Sequence, residues 1–177
     1  MRDVTDSKVL KLPYRGAPQT VDVMRRAALE SQNRIVVRRL AEWACQGVDS
    51  KDYISEYIAL YNVMIQRTRY MRDPRTVELV RAPYLVCEEI LDGGRPSLDC
   101  DDVSATLGAL ILAVGGPCSF VTAAFKDVFF QGRRQYSHVW ARAQAPNGVW
   151  INVDPVAADK TADMLRRVRA AAIWPVA

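Results

Sequence analysis

The chain has 177 residues, half of them apolar and a quarter charged, which is the composition of a soluble globular protein with length enough for one sizeable core. No apolar run approaches the roughly 18 residues of a membrane span, and the opening MRDVTDSKVLKLPYRGAP lacks the apolar stretch of a signal peptide, so a cytoplasmic protein is expected. The net charge of +4 comes with arginine pairs at 25–26, 38–39, 133–134 and 166–167, which read as solvated faces, because no nucleic-acid motif or basic–aromatic interleaving accompanies them.

Residues 1–18, with two prolines, a glycine and no clear period, read as an extended arm or loop. Over 20–46 apolar residues recur at helical spacing through Val23, Ala27, Ile35, Val36, Leu40 and Trp43, with Thr20 placed to cap the helix and Gly47 to end it. A second helix is expected over 50–72, turning Tyr53, Tyr57, Leu60, Tyr61, Met64 and Ile65 inward until Asp73-Pro74 breaks it. A third is expected over 76–91, and a fourth over 101–114 with Gly115-Gly116 as its stop. Strand texture follows. CSFVTAAF (118–125) is one strand, and QYSHVWARAQA (135–145) alternates Tyr136, His138 and Trp140 against Ser137, Val139 and Ala141. A Pro146-Asn147-Gly148 turn returns the chain as VWINVDP (149–155), and a last helix is expected over 158–170. Helices followed by an antiparallel sheet make an α+β protein, with an arm and helical extension at 1–72 and a core at 73–177 in one compact unit.

Of the four cysteines, those at 45, 87 and 118 lie in apolar surroundings (AEWACQG, PYLVCEE, GGPCSFV) and read as small buried hydrophobes. There is no CxxC pair and one histidine, so neither a zinc site nor a disulfide is expected, and no cofactor is called for. Cys100 stands apart, fenced by Asp99, Asp101 and Asp102 at the mouth of an apolar helix in SLDCDDVSATLGALILAVGG. Carboxylates repel a thiolate, but a helix N-terminus favours one, and aspartates suit a first turn. A thiol enzyme also needs a base and a group that orients the base. His138 is the one histidine available. Asp154, across the Pro-Asn-Gly turn, falls within a diagonal step of it, since the straight cross-strand partner of His138 would be near Val156 or Pro155.

Each residue also has a plainer reading: Cys100 a chance polar cysteine, His138 a sheet-surface histidine, Asp154 a turn cap before Pro155. Asp101 and Asp102 are expected to shape the helix tip and not to bind metal, because adjacent carboxylates on a helix diverge and hard cations take about six or more oxygens. Trp140 is a candidate wall of the substrate cleft or a core aromatic, and Phe129 and Phe130 are expected to pack over the cleft or meet a partner.

The series DCDD opening an alanine- and leucine-rich helix that ends in Gly-Gly-Pro, then SHVWARA, then PNGVWINVDPVA, resembles the transglutaminase-like fold of papain-type thiol enzymes over residues 76–157. The resemblance implies a catalytic-cysteine helix packed on a small antiparallel sheet, a triad of Cys100, His138 and Asp154, and an acyl-thioester formed on peptide or isopeptide amides. The Cys100 N–H would be one oxyanion donor, and a side chain from 84–96 the other. The lead-in DPRTVELVRAPYLVCEEI (73–90) further resembles versions encoded among structural genes of tailed bacteriophages. That likeness adds phage structural proteins to the expected protein or peptide partners, and virion association to a host-cell cytoplasmic location. It also supplies the alternative, a structural or assembly protein whose activity is lost or incidental.

Overall fold

The computed structural model describes residues 9–12, 16–73, 78–157 and 165–176. Strand β1 (Val9–Leu12) lies within the segment expected to be an extended arm or loop, and the rest of that segment falls outside the described residues except for 16–18. Helix α1 (Ala17–Ser31) starts at Ala17-Pro18, where proline's missing N–H costs nothing, and buries Val21, Met24 and Ala28 at helical spacing. The single helix expected over 20–46 is in fact two, because the chain turns at Gln32 and Asn33 before α2 (Ile35–Ala44). The break resets the apolar phase. Ile35, in phase with Ala28 and Ser31, is 70% exposed, while Val37, Leu40 and Ala41 are buried. Ser, Gln and Asn at 31–33 are the local cue, since short polar side chains compete with the helical backbone bonds.

Helix α3 (Tyr53–Arg67) is capped by Asp52, which accepts from the Ser55 N–H at 3.2 Å, and it buries Tyr57, Leu60 and Met64. It stops short of the expected 72, because Arg69–Tyr70 form strand β2. The expected helix over 76–91 divides as well. Glu78–Arg81 is strand β3, antiparallel to β1 with Val9 opposite Arg81, and α4 runs Pro83–Leu91. Pro83 takes the first helical position, which it occupies without penalty, and so sets the boundary. Strand β4 (Ser97–Leu98) pairs in parallel with β2 and delivers the chain to α5 (Cys100–Ala113).

Helix α5 is buried all round from Asp101 to Ile111, because it lies between the other helices and the sheet. Gly108 marks the closest approach: a Cβ there would fall 2.8 Å from the Phe120 ring and 3.5 Å from the Ala28 methyl. The sheet follows the expected strands. It comprises β5 (Cys118–Ala124), β8 (His138–Gln144) and β9 (Trp150–Val153), after a small hairpin of β6 (Phe129–Phe130) and β7 (Arg133–Arg134) in the long loop. A fourth strand, β10 (Ala170–Pro175), pairs with the free edge of β5 and completes an antiparallel sheet in the order β10-β5-β8-β9. Most of the helix expected over 158–170 lies outside the described residues. Of its described residues Leu165 and Arg166 are helical, and residue 170 already belongs to β10.

The fold is therefore α+β. One hydrophobic cluster joins Met24 of α1, Leu40 of α2, Leu60 of α3, Cys87 of α4, Leu110 of α5 and Phe120 of β5. No helix among the described residues is long and apolar enough to cross a membrane.

Candidate active site

Cys100 is the first residue of α5, so it presents its N–H at the helix tip rather than to a carbonyl one turn earlier. The three aspartates around it have separate tasks. Asp99 is the N-cap, its Oδ1 accepting from the Asp102 N–H at 3.4 Å. Asp102 accepts the Arg81 N–H at 2.7 Å and so ties β3 to the tip of α5. Burial pushes the Asp102 carboxyl up to about 7; the Arg81 N–H opposes the shift, and Asp99 and Asp73 add to it. Asp101 is buried in the wall of a cavity that also holds Cys100. Among the described residues no group of three or more His, Cys, Asp or Glu is arranged to hold a metal ion.

The histidine is fixed from several sides. His138 opens β8, and its Nε2 lies 2.7 Å from Asp154 Oδ2, with the two side chains 9% and 2% exposed. The register explains the meeting. Pairing of β8 with β9 ends at Ala141 opposite Val153, and Asp154 follows directly, one residue before a 3-10 turn at Pro155–Ala157. The imidazole stacks on Trp140 (centroids 5.7 Å apart, 30° between planes) and on Phe125 (6.4 Å, 30°). Trp140 is buried, and its Nε1–H donates to Asn152 Oδ1 at 2.9 Å. An acceptor carboxylate on Nε2 keeps the ring proton there in the neutral tautomer and leaves Nδ1 as the basic nitrogen.

Cys100 and His138 line one cavity of about 190 Å³. Its far wall is α1, through Ala17, Thr20, Val21 and Met24. Ser104, one turn into α5, shares its hydroxyl proton between the carbonyls of Cys100 and Val139, the latter at 3.1 Å. It thereby links the cysteine's turn to the histidine's strand. On the upstream side Tyr70, paired in register with Leu98, lines a smaller cavity with Val103, Pro155 and Val156. Burial raises the Tyr70 pKa; the Arg72 side chain opposes this by hydrogen bonding, and nearby Cys100 and Asp99 raise it further. In the 84–96 segment, Glu89 pairs with Arg81 at 2.9 Å and Arg95 donates to the Thr68 carbonyl at 3.1 Å.

The other thiols contrast with this setting. Burial pushes Cys87 and Cys118 up to about 12, and burial with nearby Glu56 pushes Cys45 up to about 11. Phe130 lines a wider cavity beside the cleft, and neither Phe129 nor Phe130 lines the cavity at Cys100 itself. They are 57% and 59% exposed on the β6–β7 hairpin.

The fold that carries these side chains is shared with known proteins. The profile of the transglutaminase-like superfamily matches residues 38–155, two-thirds of the chain. The chain belongs to this superfamily. The match begins inside α2.

Among solved structures, a proposed protease of Parabacteroides distasonis ATCC 8503 aligns with a TM-score of 0.55 and 11% identity, over 80% of this chain and 27% of that one. A proposed cysteine protease of Cytophaga hutchinsonii aligns with a TM-score of 0.47 and 16% identity, over 94% and 58%. This transglutaminase-like chain thus spans less than two-thirds of either protein's length. No curated protein matches the sequence.

Sequence patterns indicated Cys100, His138 and Asp154, but several site residues lay beyond their reach. Val21 and Met24 look like core at helical spacing, and Ser104 looks like one small residue of a packed helix. Tyr70 fell inside what read as a helix. The one available cue was its position just before the Asp73-Pro74 break, where a helix ends and a chain crossing is common.

Proposed function

We propose that this transglutaminase-like protein is a thiol acyl-transfer enzyme acting on peptide or isopeptide amides, with hydrolysis as its outcome. The observation that carries the reading is the buried His138–Asp154 contact of 2.7 Å in the wall of the cavity that Cys100 opens onto. His138 Nδ1 takes the thiol proton, and the Cys100 sulfur attacks the substrate carbonyl carbon. The tetrahedral oxyanion is received by the Cys100 N–H at the helix tip. As the C–N bond breaks, His138 returns the proton to the leaving amine and an acyl-thioester remains. His138 then deprotonates a water, which releases the acid and restores the thiol. Asp154 holds the imidazole and stabilises its charged form; Trp140 and Phe125 fix its plane, so they position the base without touching substrate.

The test is pH-dependent alkylation by iodoacetamide, resolved at each cysteine by mass spectrometry. Cys100 is expected to react fastest and to stay reactive well below the ordinary thiol pKa of about 8.5, and His138→Ala is expected to abolish this. Reaction no faster than at Cys45, or indifferent to His138, would sink the reading.

One observation favours a second role in assembly, on or off a phage particle in a host cell. Ile54, Ile58 and Ile65 are exposed along α3, at a spacing that puts them on one side of the helix. Concentration-dependent association that Ile58→Glu removes, with Cys100 reactivity retained, would assign that face to assembly. A monomer at all concentrations would count against self-assembly.

A further inference from the structure

The cavity at Cys100 and His138 does not end there. Two of its lining residues, Ala17 and Tyr136, also line a wider cavity of about 690 Å³ that runs between the start of α1 and the β6–β7 hairpin. The cleft therefore continues from the thiol toward the hairpin. Two arginines, Arg133 and Arg134, line this extension, and among the described residues no carboxylate does. The opposing wall, Gly16, Ala17 and Pro18, contributes no acid, nor does the first turn of α1.

The two cations differ. Arg134 is committed: it pairs with Asp127, and its guanidinium lies 4.8 Å over the Phe129 ring. Arg133 is exposed and makes no ion pair among the described residues. Phe130, beside it on the adjacent strand and opposite it in register, is also exposed and lines the same extension. An accessible guanidinium next to an accessible aromatic suits a carboxylate flanked by an apolar side chain.

We propose that this extension selects the substrate of the proposed thiol chemistry: a peptide segment carrying an aspartate or glutamate on the hairpin side of the acylated carbonyl. Arg133 takes the carboxylate, and Phe130 packs on an apolar neighbour. The inference rests on the proposed function for its substrate but not for its binding measurement.

The test uses the full chain with Cys100→Ala, which binds without turnover, and two fluorescently labelled octapeptides of phenylalanine and alanine that differ in carrying two glutamates or two lysines. Anisotropy is expected to show the glutamate peptide binding about tenfold more tightly at low ionic strength. Added Arg133→Glu should reverse the order. Arg38→Glu, an equal charge change on the exposed face of α2, should leave the order in place. In the wild-type thiol, the glutamate peptide should shield Cys100 from iodoacetamide and the lysine peptide should not.

No preference between the peptides overturns the proposal. So does a preference that both arginine variants alter equally, which would be net-charge attraction, or tight binding that leaves Cys100 unshielded, which would put the acidic site elsewhere. Sluggish alkylation of Cys100 without peptide defeats the thiol mechanism alone and leaves the binding result to be judged separately.

Discussion

Asp154 is almost wholly buried, yet only its Oδ2 meets a donor, the His138 ring; Oδ1 has no hydrogen-bond partner among the described residues. A carboxylate so placed holds the imidazole in one orientation and one tautomer. Asp154→Asn keeps an oxygen that can accept from Nε2–H, but its NH2 can turn to the ring instead and stabilise the wrong tautomer. Alkylation of Cys100 near pH 6 is therefore expected to fall by about ten- to hundredfold, with much less change near pH 9, where the thiolate forms without help. An unchanged pH profile would reduce Asp154 to a turn cap. That His138 and Asp154 stand together is legible in the sequence, because the Pro146-Asn147-Gly148 turn fixes the register and the chain has no second histidine. The α1 wall and the Ser104 bridge are not legible, because each depends on where distant elements pack, and sequence spacing carries no such information.

At the level of elements, chemical punctuation was readable and context was not. Gly115 and the Pro-Asn-Gly turn act locally, and they bound α5 and the β8–β9 hairpin as expected. The division of 20–46 and of 76–91 was hidden by apolar residues that satisfy a helical period on either side of a break. Strand β10 was hidden for a different reason. Ala170, Ala171 and Ala172 favour a helix by propensity, and become a strand because β5 offers an unpaired edge. Between the end of α5 and the start of β5 the fit is tight. A Cβ on Gly116 would lie 2.3 Å from the Tyr57 hydroxyl, and the Tyr57 ring cannot yield easily, being buried and donating to the Gln144 carbonyl at 3.0 Å. Gly116→Ala is expected to cost about 2–3 kcal/mol in urea unfolding. Tyr57→Phe in the same chain should recover part of that, so the two losses should be less than additive. Strict additivity would mean that the ring moves freely and the contact carries no strain.

Across the whole molecule, Asp102 connects the N-terminal β1–β3 pair to the helix that carries Cys100, through the Arg81 N–H. Its carboxyl ionises near the ordinary 3.8 when unfolded and near 7 when folded, chiefly because burial disfavours the charge. Between those values the folded state holds a proton that the unfolded state has released, so this group's contribution is fully present below about pH 4 and is lost as pH rises through about 7. The loss is on the order of 4 kcal/mol, an upper figure because Asp99 and Asp73 share the field. Asp102→Asn removes the titration while its amide oxygen can still accept from Arg81 N–H. The variant should match the wild type in urea unfolding at or below about pH 4 and exceed it at pH 8, with a flatter profile between. A variant less stable than the wild type at pH 8 would mean that the ionised carboxylate is held by more than the Arg81 N–H. The tip of α5 would then be stabilised by charge, and burial would no longer set how this part of the molecule responds to pH.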